Sequence, residues 1–300
     1  MEGPPGLDKL MLMLSIIILN YKTKDLTINC VKSIVEQYKK ELDNLEFEII
    51  IVDNNSEDDS VKAFNNLKTK NLKIIESKEN LGFSKGCNLG AKHANGEYLL
   101  FLNSDTEIKD QGFIKMVDYL SQNEKVAILG GKLRNLDGTS QSSAGKFYNL
   151  PSLFLMLLGL EKKGLLRESP NEIKKVDWVS GASLMTKKEI FNKIGGFEKE
   201  LFMYIEDMEL CFKAKKKGFS TYFYPNIMLF HKSLGSSNRS FAIVNIYKGI
   251  LFFHKKHKAN WQYLIARTML FAKSKILVSF GKLTGNSYYI NTYEETLKLF

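Results

Sequence analysis

Cysteine is scarce in this 300-residue chain: Cys30, Cys87 and Cys211 lie far apart, with no C-x-x-C. That pattern offers neither a disulfide framework nor a recognisable zinc ligand set. Long apolar runs are missing too. The longest near-continuous one, Leu10 to Leu19, is ten residues broken by Ser15, half of what a membrane-spanning helix needs. Its flanks do not suit a secretory leader, because Asp8 precedes it and Asn20-Tyr21-Lys22 follows where small residues would mark cleavage. A cytosolic chain is expected, working in solution or at the cytoplasmic face of the inner membrane. No G-x-x-x-x-G-K-[ST] loop is present, and no G-x-G-x-x-G follows the first expected strand, so the usual glycine cradles for phosphate are absent. Internal repeats and low-complexity segments are lacking as well. Apolar residues make up 44% of the chain and aromatics 12%, which is enough for a packed core and excludes wholesale disorder.

Acidic residues run short at one end only. Residues 239–300 hold ten Lys or Arg against Glu294 and Glu295, whereas residues 1–238 hold 33 against 31 acids. A near-neutral body with a basic tail is no nucleic-acid footprint. Such a tail, rich in aromatics, fits an anionic surface such as a membrane face, although a solvated helix face would carry the same charges.

From Leu14 a strand–helix alternation sets in. Leu14–Leu19 and Phe47–Val52 are short Ile-rich runs of the kind buried on both faces of a parallel sheet. Between them Leu26, Cys30, Val31, Ile34, Val35 and Tyr38 recur at helical spacing. Ser56-Glu57-Asp58-Asp59 predicts a capped helix start. Leu72–Ile75 reads as a third strand, Leu89-Gly90-Ala91 as part of a third helix, and Tyr98–Leu102 as a fourth strand. This βαβαβαβ order predicts an α/β protein with a doubly wound, mostly parallel sheet and ligands at the strands' carboxyl ends. Val126–Leu129 and Val176–Met185 also read as strands, Glu206–Lys217 as a helix stopped by Gly218, and Phe219–Tyr224 as a strand ended by Pro225. Residues 139–175 read as loop-rich around an apolar segment, Leu153–Leu158. After Gly235-Ser236-Ser237 the pattern turns helical and basic, with a second helix over Gln262–Phe280. The division expected is a tail over 1–13, an α/β domain over 14–235, and a basic helical extension over 236–300.

The strand ends carry the polar residues. Asn20-Tyr21, Asp53-Asn54-Asn55 and Asn103-Ser104-Asp105 each end an expected strand, and the three should converge on one crevice. A single Asp there is commonly a turn former or helix cap; three clusters on one edge are harder to explain so. Without a glycine cradle, a divalent cation is the natural counter-charge for phosphates, and Asn103 and Asp105 offer hard oxygen ligands suited to Mg2+ or Mn2+. Gly82, Gly86 and Gly90 fit either a backbone approach to a ligand or close packing of a helix on the sheet. Glu206-Asp207-Met208-Glu209 opens a helix, where carboxylates are favoured by the macrodipole. The apolar lead-in Phe202-Met203-Tyr204-Ile205 gives them a second role, because burial beside such walls raises a carboxyl pKa and makes a base. His231 follows the strand Ile227–Phe230, within reach of a metal role.

In order, Ser15-Ile16-Ile17-Ile18-Leu19-Asn20-Tyr21, Ile51-Val52-Asp53-Asn54-Asn55-Ser56, Asn80-Leu81-Gly82-Phe83 leading to Asn88, and Leu102-Asn103-Ser104-Asp105 resemble glycosyltransferase family 2. Trp178-Val179-Ser180-Gly181-Ala182 and Tyr204-Ile205-Glu206-Asp207-Met208-Glu209-Leu210 continue the resemblance, which covers residues 14–235 and is nearest to the rhamnosyltransferase-like branch. It implies the GT-A fold and an inverting, metal-dependent transfer of sugar from a nucleotide-diphosphate donor, dTDP-rhamnose among the donors. The implied acceptor is a glycan or lipid-linked hydroxyl in bacterial surface-polysaccharide assembly. By the same resemblance Asn20, Tyr21, Asp53, Asn54, Asn80, Gly82, Phe83, Asn88, Asn103, Ser104 and Trp178 would serve the donor nucleotide, and Gly181 and Ala182 would lie along the donor sugar. Asp105 and His231 would hold Mg2+ or Mn2+, Asp207 would be the general base, and Glu206 would bond to donor or acceptor. Two rivals remain open from the residues: a nucleotidyltransferase, and a sugar-nucleotide-binding protein without catalysis.

Overall fold

The computed structural model describes residues 12–160, 164–232 and 238–300. Most of the expected tail and the expected boundary at 235/236 lie outside these. Four strands, β1 (Leu14–Asn20), β2 (Phe47–Asp53), β3 (Leu72–Glu76) and β4 (Tyr98–Asn103), form a parallel half-sheet in the order β3-β2-β1-β4. Their alternation sorts the side chains between two cores. Ile16, Ile18, Ile49 and Ile51 pack on one face, beneath α1 (Lys24–Asp43) and α4 (Gly112–Gln122). Ile17, Ile50, Val52 and Phe101 point to the other, toward α3 (Gly82–His93). Being covered on both faces explains the unbroken Ile runs.

The second half of the sheet is mixed. β12 (Ser183–Lys187) inserts antiparallel between β4 and β6 (Val126–Arg134), and β13 (Ser220–His231) runs parallel to β6. Short β5 (Thr106–Ile108), β7 (Ser140–Gln141) and β10 (Lys174–Val176) extend this half antiparallel. The doubly wound order therefore holds for four strands and then gives way to a mixed sheet.

Four sequence expectations are corrected here. The single strand over Val176–Met185 is three pieces. Its middle, β11 (Trp178–Val179), leaves the main sheet to pair with β8 (Ala144–Gly145), which also pairs with β9 (Arg167–Glu168). Asp177 and Ser180 explain the departure: Asp177 Oδ2 accepts from Phe147 N at 3.2 Å, and Ser180 N donates to Ser143 O at 2.8 Å. Pro225 does not end a strand. β13 runs through it, and the register to β6 breaks between Tyr224 and Leu229, where a residue without N–H is tolerated. Ser56 caps no helix; α2 is Ser60–Asn65, and Ser56 Oγ instead bonds Asp53 Oδ1 at 2.6 Å. The loop-rich stretch contains α5 (Leu150–Leu157), capped by Asn149 with proline in its first turn.

The glycine question resolves toward packing at two positions. A Cβ on Gly86 would lie 2.5 Å from Leu19 Cδ1, and one on Gly90 2.5 Å from Ile17 Cγ2, so α3 sits tight on β1. After α6 (Lys188–Ile194) and α7 (Glu206–Lys216), the chain finishes in α8 (Arg239–His257), α9 (Asn260–Thr284) and α10 (Ser287–Leu297). The last of these has no counterpart among the sequence expectations. Among the described residues no helix is long and apolar enough to cross a membrane.

Candidate functional site

The three strand-end clusters do meet, beside two adjoining cavities of about 350 and 320 Å3. Phe83, Asn103 and Met203 line both, so the two form one cleft along the carboxyl edge of β1 and β4. Tyr21, Asn54, Asn80, Gly82, Ser104 and Asp105 line the first. Trp178, Gly181, Ala182, Glu206, Asp207 and His231 line the second.

Three expected donor residues line neither cavity. Asn20 is fully buried, donating through Nδ2 to Asp53 Oδ1 (2.7 Å) and Ser56 Oγ (2.9 Å) and accepting from the Thr23 and Thr27 hydroxyls. Its hydrogen-bonding capacity is used up within the protein, and with Asp53 it ties together the strand ends that floor the first cavity. Asn88 makes a two-way link to Phe197, with Nδ2 to the carbonyl and the backbone N to Oδ1, both 2.9 Å. Asn54 and Asn80, in contrast, shape the cavity wall. Asn54 Oδ1 accepts from Leu81 N, and Asn80 Oδ1 accepts from Asn54 Nδ2 and Gly82 N. Gly82 sits at φ +72°, where a Cβ would stand 2.4 Å from Phe202 O, so only glycine fits this turn.

The surroundings of the expected metal residues are more defined than the sequence suggests. Gln141 Nε2 donates to Asn135 Oδ1 (2.7 Å) and His231 O (2.6 Å), so its Oε1 must accept from His231 Nδ1 at 2.9 Å. With Nδ1 as the donor, a neutral imidazole carries its lone pair on Nε2. Nε2 faces Asp105 Oδ1 at 3.2 Å, with the Asn103 amide 3.3 Å away. The imidazole and the carboxylate are close enough to share one cation. The donor set, a carboxylate, an imidazole and an amide able to turn its oxygen inward, fits Mn2+ or Mg2+. Among the described residues no set of three His, Cys, Asp or Glu side chains converges, so a bound ion would need oxygen ligands from substrate or water. Gln141, which fixes the imidazole, has no local sequence signal, because it reaches His231 across ninety positions of chain.

The two acids of α7 differ. Asp207 Oδ2 accepts from Gly181 N at 3.1 Å, and Oδ1 from Met208 N at 2.7 Å. Burial pushes its carboxyl above the usual range, partly opposed by these donors and by the positive charge of Arg167. Arg167, another residue without a sequence signal, lies 5.4 Å from the Trp178 ring centre and lines the second cavity. Glu206 is 6% exposed, and its Oε2 has no hydrogen-bond partner among the described residues. Burial first, and then the neighbouring Asp207 charge, push its carboxyl well above the usual range. A carboxyl with a raised folded-state pKa keeps its proton over a pH window in which the unfolded chain has released it, so stability falls as pH rises through that window. Glu206→Gln is therefore expected to raise the melting temperature at neutral pH. The gain should vanish below about pH 4, where the unfolded carboxyl is also protonated. Parallel thermal melts across pH check this; an equal or lower melting temperature at neutral pH would mean that Glu206 is paired in its charged form.

The turn that presents these acids is strained. Tyr204 and Ile205 sit at φ +70° and +69°, left-handed positions that a β-branched residue rarely adopts. α8 holds the turn in place. A Cβ on Gly249 would stand 2.7 Å from Ile205 Cβ and Cγ1 and 3.1 Å from Tyr204 O. Further along, fully buried Glu209 accepts from His257 Nε2 at 2.7 and 2.9 Å and pairs with Lys256 at 3.1 Å. α8 thus braces the acid-bearing α7. Gly249→Ala is expected to overpack this contact by about 1–3 kcal/mol, lowering the melting temperature by roughly 2–4 °C per kcal/mol. Differential scanning calorimetry reads it directly.

The family model described as Glycosyl transferase family 2 matches residues 15–195. A low-salt glycan biosynthesis hexosyltransferase of Haloferax volcanii is 27% identical over 212 residues, covering 68% of this chain and 62% of its own length. The chain thus spans less than two thirds of that relative. An N-acetylglucosaminyl-diphospho-decaprenol L-rhamnosyltransferase of Mycobacterium tuberculosis is 24% identical over 214 residues, 64% of this chain and 68% of that one. Among solved structures, a mannosyltransferase of Pyrobaculum calidifontis in complex with GDP-Man and Mn2+ aligns with a TM-score of 0.55 at 15% identity, covering 95% of this chain and 84% of that one. At that identity the likeness establishes the fold.

Proposed function

From its membership of glycosyltransferase family 2, established by the match over residues 15–195, we propose that the chain moves a sugar from a nucleotide diphosphate to an acceptor hydroxyl, with inversion at the anomeric carbon. The observation that carries this reading is one cleft holding the Asp105–His231 pair and the Glu206–Asp207 pair. The first pair suits a divalent ion and a diphosphate, the second proton transfer.

Tyr21, Asn54, Asn80, Gly82 and Phe83 would receive the nucleotide in the first cavity, with Asn20, Asp53 and Asn88 bracing the walls rather than touching it. Gly181, Ala182 and Trp178 would face the sugar. Asp207 accepts the acceptor's proton as its oxygen attacks; its raised pKa and its fixing by Gly181 N suit a base. Glu206, with burial favouring its protonated form, bonds to donor or acceptor. Asp105 and His231, with Asn103, would hold Mn2+ or Mg2+, which when bound supplies positive charge against the departing diphosphate. The Mycobacterium and Haloferax relatives support a rhamnosyl or hexosyl donor and a lipid-linked acceptor in glycan assembly. Residues 14–235 would form the transferase domain, with 236–300 as its helical extension.

Incubation with UDP- and dTDP-sugars, with and without Mn2+, tests the reading. Release of nucleoside diphosphate supports transfer, and formation of nucleoside triphosphate and sugar 1-phosphate only when pyrophosphate is added would instead identify a nucleotidyltransferase. Binding with no release would identify a sugar-nucleotide-binding protein.

A further inference from the structure

A helix is buried on one side and polar on the other when water covers its outer face. α9 breaks that rule. Its inner side, Ala266, Leu270, Ser274, Val278 and Gly281, is buried, while its outer side carries a stripe of large exposed apolar residues between small polar ones and lysines. Trp261, Leu264, Ile265, Ile276 and Leu283 are exposed at spacings of three, four or seven residues, apart from the step from Ile265 to Ile276, with Trp261 at 58% and Leu283 at 87%. The step across the gap is eleven residues, about three turns, so the stripe stays on one side of a helix roughly 37 Å long. α5 packs beside α9, where Lys273 Nζ donates to Leu157 O at 2.6 Å. α9 carries Arg267, Lys273, Lys275 and Lys282 and no acidic residue. Lys275 and Lys282 flank the stripe, and Lys282 makes only a loose 3.7 Å contact with exposed Glu294.

We propose that this outer face of α9 docks on an anionic lipid bilayer, lying in the headgroup region without crossing it. Apolar side chains enter the acyl boundary, lysine heads reach the phosphates, and a tryptophan marks the interface. The charge is what selects this occupant: a hydrophobic contact with a second copy would bring these cations against one another. Docking goes beyond the transferase reading and fails separately from it, because vesicle binding needs no sugar transfer.

The test uses the full chain with phosphatidylcholine vesicles, with and without phosphatidylglycerol, in co-sedimentation and tryptophan fluorescence. Trp178 is buried, so the exposed Trp261 reports insertion. Expected are binding only to acidic vesicles, weakening with salt, and a blue shift lost in Trp261→Phe. Lys275→Gln with Lys282→Gln should weaken binding by about 30-fold, and Ile276→Glu with Leu283→Glu should abolish it while leaving donor hydrolysis unchanged. Equal binding to neutral vesicles, no binding to acidic ones, or a dimer in sedimentation velocity that Ile276→Glu dissociates would overturn the proposal.

Discussion

Asp207→Asn should lose most of its turnover while holding the donor nucleotide as tightly as the parent protein. A general base contributes about 10²–10⁴-fold, so its loss costs about 3–5 kcal/mol of transition-state stabilisation. Asparagine keeps the shape, and its Oδ1 can still accept from Gly181 N, which Asp207 Oδ2 does at 3.1 Å; it cannot take up the acceptor's proton. The nucleotide pocket is lined by other residues, so KM for the donor should stay put while kcat falls. A merely helix-capping Asp207 gives the opposite result, a lower melting temperature with turnover per folded molecule intact. Glu206→Gln is expected to be the milder variant in kcat. If Glu206→Gln proves dead and Asp207→Asn active, the base is one residue earlier. Steady-state kinetics on both variants, alongside their melting curves, separates these outcomes.

Asp105→Ala should abolish Mn2+-dependent nucleotide binding, and with it transfer. The Asp105 carboxylate is the only strong hard-oxygen donor facing His231 Nε2 among the described contacts, 3.2 Å away, and imidazole alone is a poor ligand for Mg2+ or Mn2+. Calorimetric titration of a nucleoside diphosphate with and without Mn2+ reads the effect without needing the acceptor. In the parent protein the ion should tighten binding; in Asp105→Ala the two titrations should coincide. Full activity in excess chelator, or an undiminished Mn2+ effect in the variant, would remove the metal from the proposal. Gln141→Leu, which frees the imidazole ring without replacing an expected ligand, should weaken the Mn2+ effect less than Asp105→Ala.

The parallel half of the fold was readable from residues alone because its determinants are local. Ile-rich runs such as Leu14–Leu19 are extended wherever they fall, and burial on both faces leaves no alternation to mislead. The strand-end rule then carried Tyr21, Asn54, Asn103, Ser104 and Asp105 to one cleft. The same rule could not say which end residues face the cavity. Asn20 and Asp53 point at each other across paired strands, in register, and that is a property of β1 beside β2 rather than of either strand.

Everything that fixes the chemistry of the cleft spans long stretches of chain. Gln141 bonds His231 Nδ1 and orients its ring, Gly181 N holds Asp207, and Gly249 with His257 braces the strained turn ahead of Glu206. Each link joins residues 26 to 90 positions apart or two helices meeting side by side, and no periodicity or short motif encodes such a meeting. Pro225 and Asp177 mislead for the same reason: a proline ends a strand locally, yet a ladder broken by a bulge accommodates it, and an apolar run continues locally, yet side-chain bonds pull Trp178 into another sheet. Composition and local pattern determined the parallel half of the sheet, its carboxyl edge and the residue types gathered there. Which of those residues face the cleft, in what protonation state and on what backbone, was decided by tertiary packing, because burial and hydrogen-bond partners exist only once distant segments touch.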